Sequence, residues 1–141
     1  MQSLQRSKYL ETTIQTATPG QLLIMLYDGA IRFCRTAIEA LHEGRYVEAN
    51  ENLIKVQNIV SEFVITLDKN SPLANNLLAL YEYYKHLLIQ ANMTKSAQPA
   101  EEVLGYFVEM KEMWIQAARA ANAAGANANG NTTRAAQTVV G

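Results

Sequence analysis

Four stretches of the chain repeat apolar residues at alternating steps of three and four, with turn-forming residues between them. That period places apolar side chains on one face of an α-helix, and the two-residue period of a strand cannot produce it. One seam reads Ala49, Leu53, Val56, Val60, Phe63 and Leu67. A second reads Leu73, Leu77, Leu80, Tyr84, Leu87 and Ala91, and a third Val103, Phe107, Met110, Trp114, Ala117 and Ala121. The boundaries carry their own chemistry. In Thr18-Pro19-Gly20-Gln21 the threonine is a helix N-cap, the proline takes the first helical position and Gln21 closes a capping box. Ser71-Pro72 repeats the cap and proline, and Glu101 in Gln98-Pro99-Ala100-Glu101 favours a helix start electrostatically. Gly44 supplies a stop for the first helix, and Asp68-Lys69-Asn70 a turn after the second.

The spacing predicts helices over 19–43, 47–67, 72–92 and 99–122. Loops of a few residues force neighbouring helices to run antiparallel. The expected fold is all-α, an antiparallel up-down four-helix bundle over residues 18–122. In segment 1–17, Leu4, Tyr9, Leu10 and Ile14 are spaced for a short or conditional helix. Residues 123–141, rich in Ala, Asn, Gly and Thr, offer little to bury and are expected to be a disordered tail.

The bundle carries more apolar surface than its seams need. Hydrophobic residues make up 49% of the 141 residues and charged ones only 18%, against roughly 25% in ordinary soluble domains. In the first helix, Asp28, Arg32, Arg35 and Glu39 form one narrow polar stripe, and nearly everything else is apolar. A bundle helix needs an apolar arc of a little over 100°. Ile54, Ile59 and Ile65 lie off the seam of the second helix, Leu78 and Ile89 off that of the third, where Tyr81, Tyr83 and Tyr84 also cluster. Two readings follow: a generously packed bundle or homodimer, or grooves between helices that receive the amphipathic helices of a partner. Ile31, Ile54, Ile59, Leu78 and Ile89 are the groove candidates, apolar yet away from the cleanest seams. Lys55, Asn58 and Glu62, extended by Glu48 and Glu51, form either a solvated face or a polar strip that orients a bound peptide.

Other classes are poorly served. Twelve Lys and Arg against thirteen Asp and Glu give a net charge of −1, without the basic excess of a nucleic-acid or anionic-membrane binder. A di-iron bundle needs Glu-x-x-His on two helices. Glu39-Ala40-Leu41-His42 fits, but His86 has no matching glutamate. The single cysteine, Cys34, sits among apolar neighbours and reads as a small hydrophobe rather than a thiolate. No phosphate-binding glycine loop appears, so no enzyme, metal or cofactor is expected. No leader-like or membrane-spanning apolar run is seen, and the expectation is a cytoplasmic protein.

Thr16-Ala17-Thr18-Pro19, then Leu26-Tyr27-Asp28-Gly29-Ala30-Ile31, resemble the flagellar export chaperone family FliS. The likeness continues through Asn52–Val60, Leu67-Asp68, Asn76-Leu77, Leu80-Tyr81-Glu82-Tyr83 and Leu87–Asn92, and ends near Trp114. Phe63 departs from it, standing where a smaller aliphatic residue is usual, and the tail has no counterpart. The resemblance implies a cytosolic chaperone that binds the disordered C-terminal segment of flagellin, prevents premature polymerisation and delivers it to a component of the flagellar export gate. It also implies that the N-terminal segment, through Tyr9 and Ile14, acts as a lid over part of the groove. On this reading the flagellin contacts are Tyr9, Ile14, Ile31, Ile54, Lys55, Asn58, Ile59, Glu62, Leu78, Tyr81 and Ile89. The alternative is a homodimeric scaffold or interaction module without a disordered client.

Overall fold

A computed structural model describes residues 18–138 of the chain, with side chains through residue 125. Four helices follow one another: α1 (Pro19–His42), α2 (Tyr46–Thr66), α3 (Ala74–Thr94) and α4 (Ala97–Thr138). Each packs on its neighbours in the order α1–α2–α3–α4–α1, which is the expected up-down bundle.

The helix ends show why the elements fall where they do. Thr18 Oγ1 accepts from the Gln21 amide at 3.2 Å, while Gln21 Oε1 accepts from the Thr18 amide at 3.0 Å, so the capping box is closed. At the other end of α1, Gly44 takes φ +73. Its N–H reaches Leu41 O at 3.3 Å and that of Arg45 reaches Ala40 O at 2.8 Å, a Schellman stop that glycine adopts without a Cβ clash.

Three expectations are corrected. Helix α3 begins at Ala74, not at residue 72, because Ser71 captures the chain in a turn. Its Oγ accepts from the Leu73 amide and its carbonyl from that of Ala74, leaving Leu73 exposed. In place of Leu73, Leu88 is fully buried. The last correction concerns α4, which does not stop near 122. Its backbone stays helical to Thr138. Alanine, the strongest helix former, recurs through 117–124 and favours helix there although most of these residues are exposed. Ala117 and Ala121, assigned to the seam, are exposed because a 42-residue α4 outruns the 24-residue α1 and 21-residue α3 beside it.

The core divides into a narrow end and a wide end. Towards the connections at 43–45 and 95–96 it is made of small residues: Ala37, Ala40, Ala49, Ala91 and Ala100 are all buried. There the helices come close enough for the Cys34 thiol to donate to Ala100 O at 3.4 Å. Burial pushes that thiol up to about 12, so it is the inert hydrophobe expected. The other half is filled by rings. Tyr27 stacks on Phe63 at 4.4 Å, Tyr84 meets Phe107 edge-on at 4.8 Å, and Tyr81 lies 5.3 Å from Phe63. The Tyr27 and Tyr84 hydroxyls, both buried, bond each other at 3.3 Å.

Two outcomes follow. Burial raises Tyr84 to about 12 from 10.0 and Cys34 to about 12 from 9.0, so both groups ionise first in the unfolded chain. Stability present below pH 9 is therefore lost as pH rises towards 12, by up to about 1.4 kcal/mol per pH unit for each group. Urea unfolding across that range measures it. Tyr27→Phe strands the Tyr84 hydroxyl and should cost about 1–2 kcal/mol, and Tyr84→Phe likewise. The double variant should cost clearly less than the sum, a coupling that chemical denaturation reads directly.

Candidate functional site

The second helix divides the sequence-derived residues between two grooves. Ile59 faces α1: its Cδ1 lies 3.3 Å from where a Cβ on Gly29 would stand, so glycine there makes room for the isoleucine. Lys55 precedes Ile59 by one turn and sends Nζ over the Phe33 ring of α1 at 5.2 Å. Arg32 lies over that ring at 5.0 Å, so two cations border the α1–α2 groove. Glu62, seven residues beyond Lys55, continues this edge.

Ile54 lies on the opposite side. It is one turn beyond Asn50, whose Oδ1 accepts from Asn92 Nδ2 of α3 at 2.7 Å. Ile89 stands three residues before Asn92, and Leu78 eleven before Ile89, so both share the α2 side of α3. Ile54 is 44% exposed and Ile89 43%, and Leu78 is half-buried. Asn58, exposed, sits on the crest of α2 between the two grooves.

Two candidates fall elsewhere. Ile31 is 7% exposed and Tyr81 is 1% exposed, so both belong to the core. The expectation that Ile31 lies away from the seam is corrected: the apolar arc of α1 is wide because its packing on α2 and α4 is the most extensive in the bundle. Tyr9 and Ile14 lie outside the described residues.

Sequence reasoning missed a third feature. At the wide end of the bundle an open apolar cavity of about 490 Å³ is lined by Pro19, Leu22, Leu23, Phe63, Leu67, Leu77, Tyr81 and Trp114, among others. Leu67, Leu77 and Trp114 read as seam residues in the sequence. Each is only half-buried, since the seams run out here and the 67–73 connection does not fill the space between helix ends. Trp114 Nε1 is buried with no hydrogen bond of normal geometry among the described residues. The cavity opens beside Pro19, where the chain preceding α1 enters the helix.

The α3–α4 face differs in chemistry. Tyr83 and Tyr106 both donate to Glu102 Oε2, at 2.6 and 3.1 Å, and their rings lie 6.0 Å apart. The bond to the carboxylate holds the Tyr83 phenol up at about 12. On the α1–α4 side, Lys111 pairs with Asp28 at 2.6 Å and His42 with Glu101 at 2.9 Å. No group of three or more His, Cys, Asp or Glu placed to hold a metal occurs among the described residues. No described helix is long and apolar enough to cross a membrane.

These features define a helical bundle whose apolar surface exceeds what its own core covers, the build of a binding protein. The comparisons give it a family. Residues 1–121 match the family described as "Flagellar protein FliS", and the chain belongs to it. The chain is 39% identical over 109 residues to the flagellar secretion chaperone FliS of Bacillus subtilis, covering 77% of this chain and 82% of the relative. The chaperone of the same name from Salmonella typhimurium is 36% identical over 110 residues, covering 76% and 82%. That from Escherichia coli is 29% identical over 108 residues, covering 74% and 79%. The chain is thus a member of the flagellar secretion chaperones, a family of chaperones rather than enzymes.

Proposed function

We propose that this protein holds the C-terminal segment of flagellin in the cytoplasm, keeps it from polymerising and presents it to the flagellar export gate. Membership of the secretion chaperone family supports an export role. The observation that carries the client reading is the convergence of unfilled apolar surface around α2. One groove holds Ile59 beside Gly29, another Ile54 with Leu78 and Ile89, and the cavity at the wide end lies beyond them. Amphipathic helices of a disordered client would lay their apolar faces into such grooves and fold as they bind. Lys55, Asn58 and Glu62, all exposed along α2, would set register by polar contacts at the groove edges.

The same geometry supports a lid. Pro19, at the start of α1, lies on the rim of the cavity, and Tyr9 and Ile14 are the residues of the preceding segment that the family resemblance assigns to a lid. In the absence of client, this segment would shield the cavity and be displaced on binding.

A synthetic flagellin C-terminal segment should bind one to one, gain helix by circular dichroism, and bind with a strongly negative heat capacity change. Coupled folding of this kind buries about 1,000–3,000 Å². Ile54→Glu, at a half-exposed position, should weaken binding by a few kcal/mol with an unchanged melting temperature. Ile59→Glu should also lower the melting temperature, since Ile59 is half-buried against α1. Wild-type protein that binds no flagellin segment by calorimetry, and sediments as a stable dimer, would replace this reading with the homodimeric scaffold. Removing residues 1–14 should increase apolar-dye fluorescence of the free protein and raise the client on-rate. Unchanged fluorescence and kinetics would dismiss the lid and leave client binding standing.

A further inference from the structure

We propose that the α3–α4 face is a second docking surface, for a basic amphipathic segment of a partner protein. An Arg or Lys of that segment would sit on Tyr83, Tyr106 and Glu102, and an apolar side chain on Met113.

Charge complementarity identifies the occupant. Glu102 receives two phenolic hydrogen bonds on Oε2, and no described hydrogen bond uses its other oxygen. Glu109 follows Tyr106 by three residues, one turn along the same side of α4, and adds a second carboxylate there. The nearby cations serve other faces. Lys111 is held by Asp28 on the α1 side, and Lys85, seven residues before Asn92, belongs to the α2 side of α3. Among the described residues no ion pair reaches Glu102 or Glu109, so the α3–α4 face carries negative charge in a chain whose total is only −1.

The aromatic geometry suits the same ligand. Tyr83 is 42% exposed, stacks at 6.4 Å with His86 and meets Tyr106 at 6.0 Å. A guanidinium or ammonium placed here gains ring faces and a charge-assisted hydrogen bond from one cluster. Because Glu102 already fixes both phenols, docking orders few side chains that were free before. Met113 follows Tyr106 by one heptad, shares its side of α4 and is 61% exposed. That pairing favours a peptide over a free polyamine: a cation and an apolar residue about two helical turns apart on one face. The surface lies away from both grooves beside α2, so it does not depend on the client reading.

The test is an NMR titration of the full chain with a helical peptide of roughly 18 residues carrying two Arg one turn apart and a Leu two turns further on. A twin with both Arg replaced by Gln, and spermidine alone, serve as comparators. Shifts should concentrate at Tyr83, Glu102, Tyr106 and Met113. Affinity should fall about fivefold or more for the Gln twin and for Glu102→Gln, and should weaken as salt rises. Because Glu102 also ties α3 to α4, Met113→Gln, at an exposed position, gives a second reading that does not threaten the fold. It should weaken the peptide several-fold and leave spermidine unaffected. Shifts scattered over the surface or centred on the α2 grooves would overturn the proposal. So would equal binding of the Gln twin, an unaffected folded Glu102→Gln variant, or spermidine that matches the peptide in footprint and affinity.

Discussion

The ring cluster at the centre of the bundle is the contact on which the rest of the architecture depends. Tyr27 of α1, Phe63 of α2, Tyr81 and Tyr84 of α3 and Phe107 of α4 meet there, so all four helices are joined through one packed group. Rings are large and rigid, and they hold helix axes further apart than alanines do. At the opposite end, buried alanines let the same helices close until a cysteine thiol reaches a backbone carbonyl. The bundle therefore widens from one end to the other. The cavity beside Trp114 lies at the wide end, where spacing set by the rings persists after the ring supply has run out.

Phe63 shows how much one position contributes. The family resemblance marks it as larger than usual, and the structure places it stacked on Tyr27, near Tyr81 and Tyr84, and in the cavity wall. It is at once a core residue and part of the cavity wall. Tyr81 has the same double character: buried in the core, yet lining the cavity. For such residues a substitution changes both the packing of the core and the shape of the cavity.

The candidate residues are distributed around α2. The sequence offers Ile54 and Ile59 as groove candidates and Lys55, Asn58 and Glu62 as a polar strip, and the helix turns these residues onto two sides. Gly29 admits Ile59 to the α1 side, and the Asn50–Asn92 bond marks the α3 side occupied by Ile54. A client engaging both grooves must cross the crest at Asn58. The α3–α4 face, with tyrosines gathered on a carboxylate, is chemically separate from both.

Much of this was legible without coordinates, because helix periodicity and caps are local properties. The 3–4 spacing, the Thr18–Gln21 box and the Gly44 stop depend on residues within a turn or two of each other, and each appears as read. The excess of apolar over charged residues likewise matches the exposure of Ile54, Ile65, Ile89 and Met113. What the sequence could not settle depends on lengths and neighbours. Whether Leu77 and Trp114 fill a core or line a hole is decided by where the other helices end. Ile31 is core because α1 has the most extensive packing of the four helices, and Ala121 is exposed because α4 outruns its companions. Periodicity tells which residues share a face. Only the assembled helices decide whether another helix, a cavity or water stands against it.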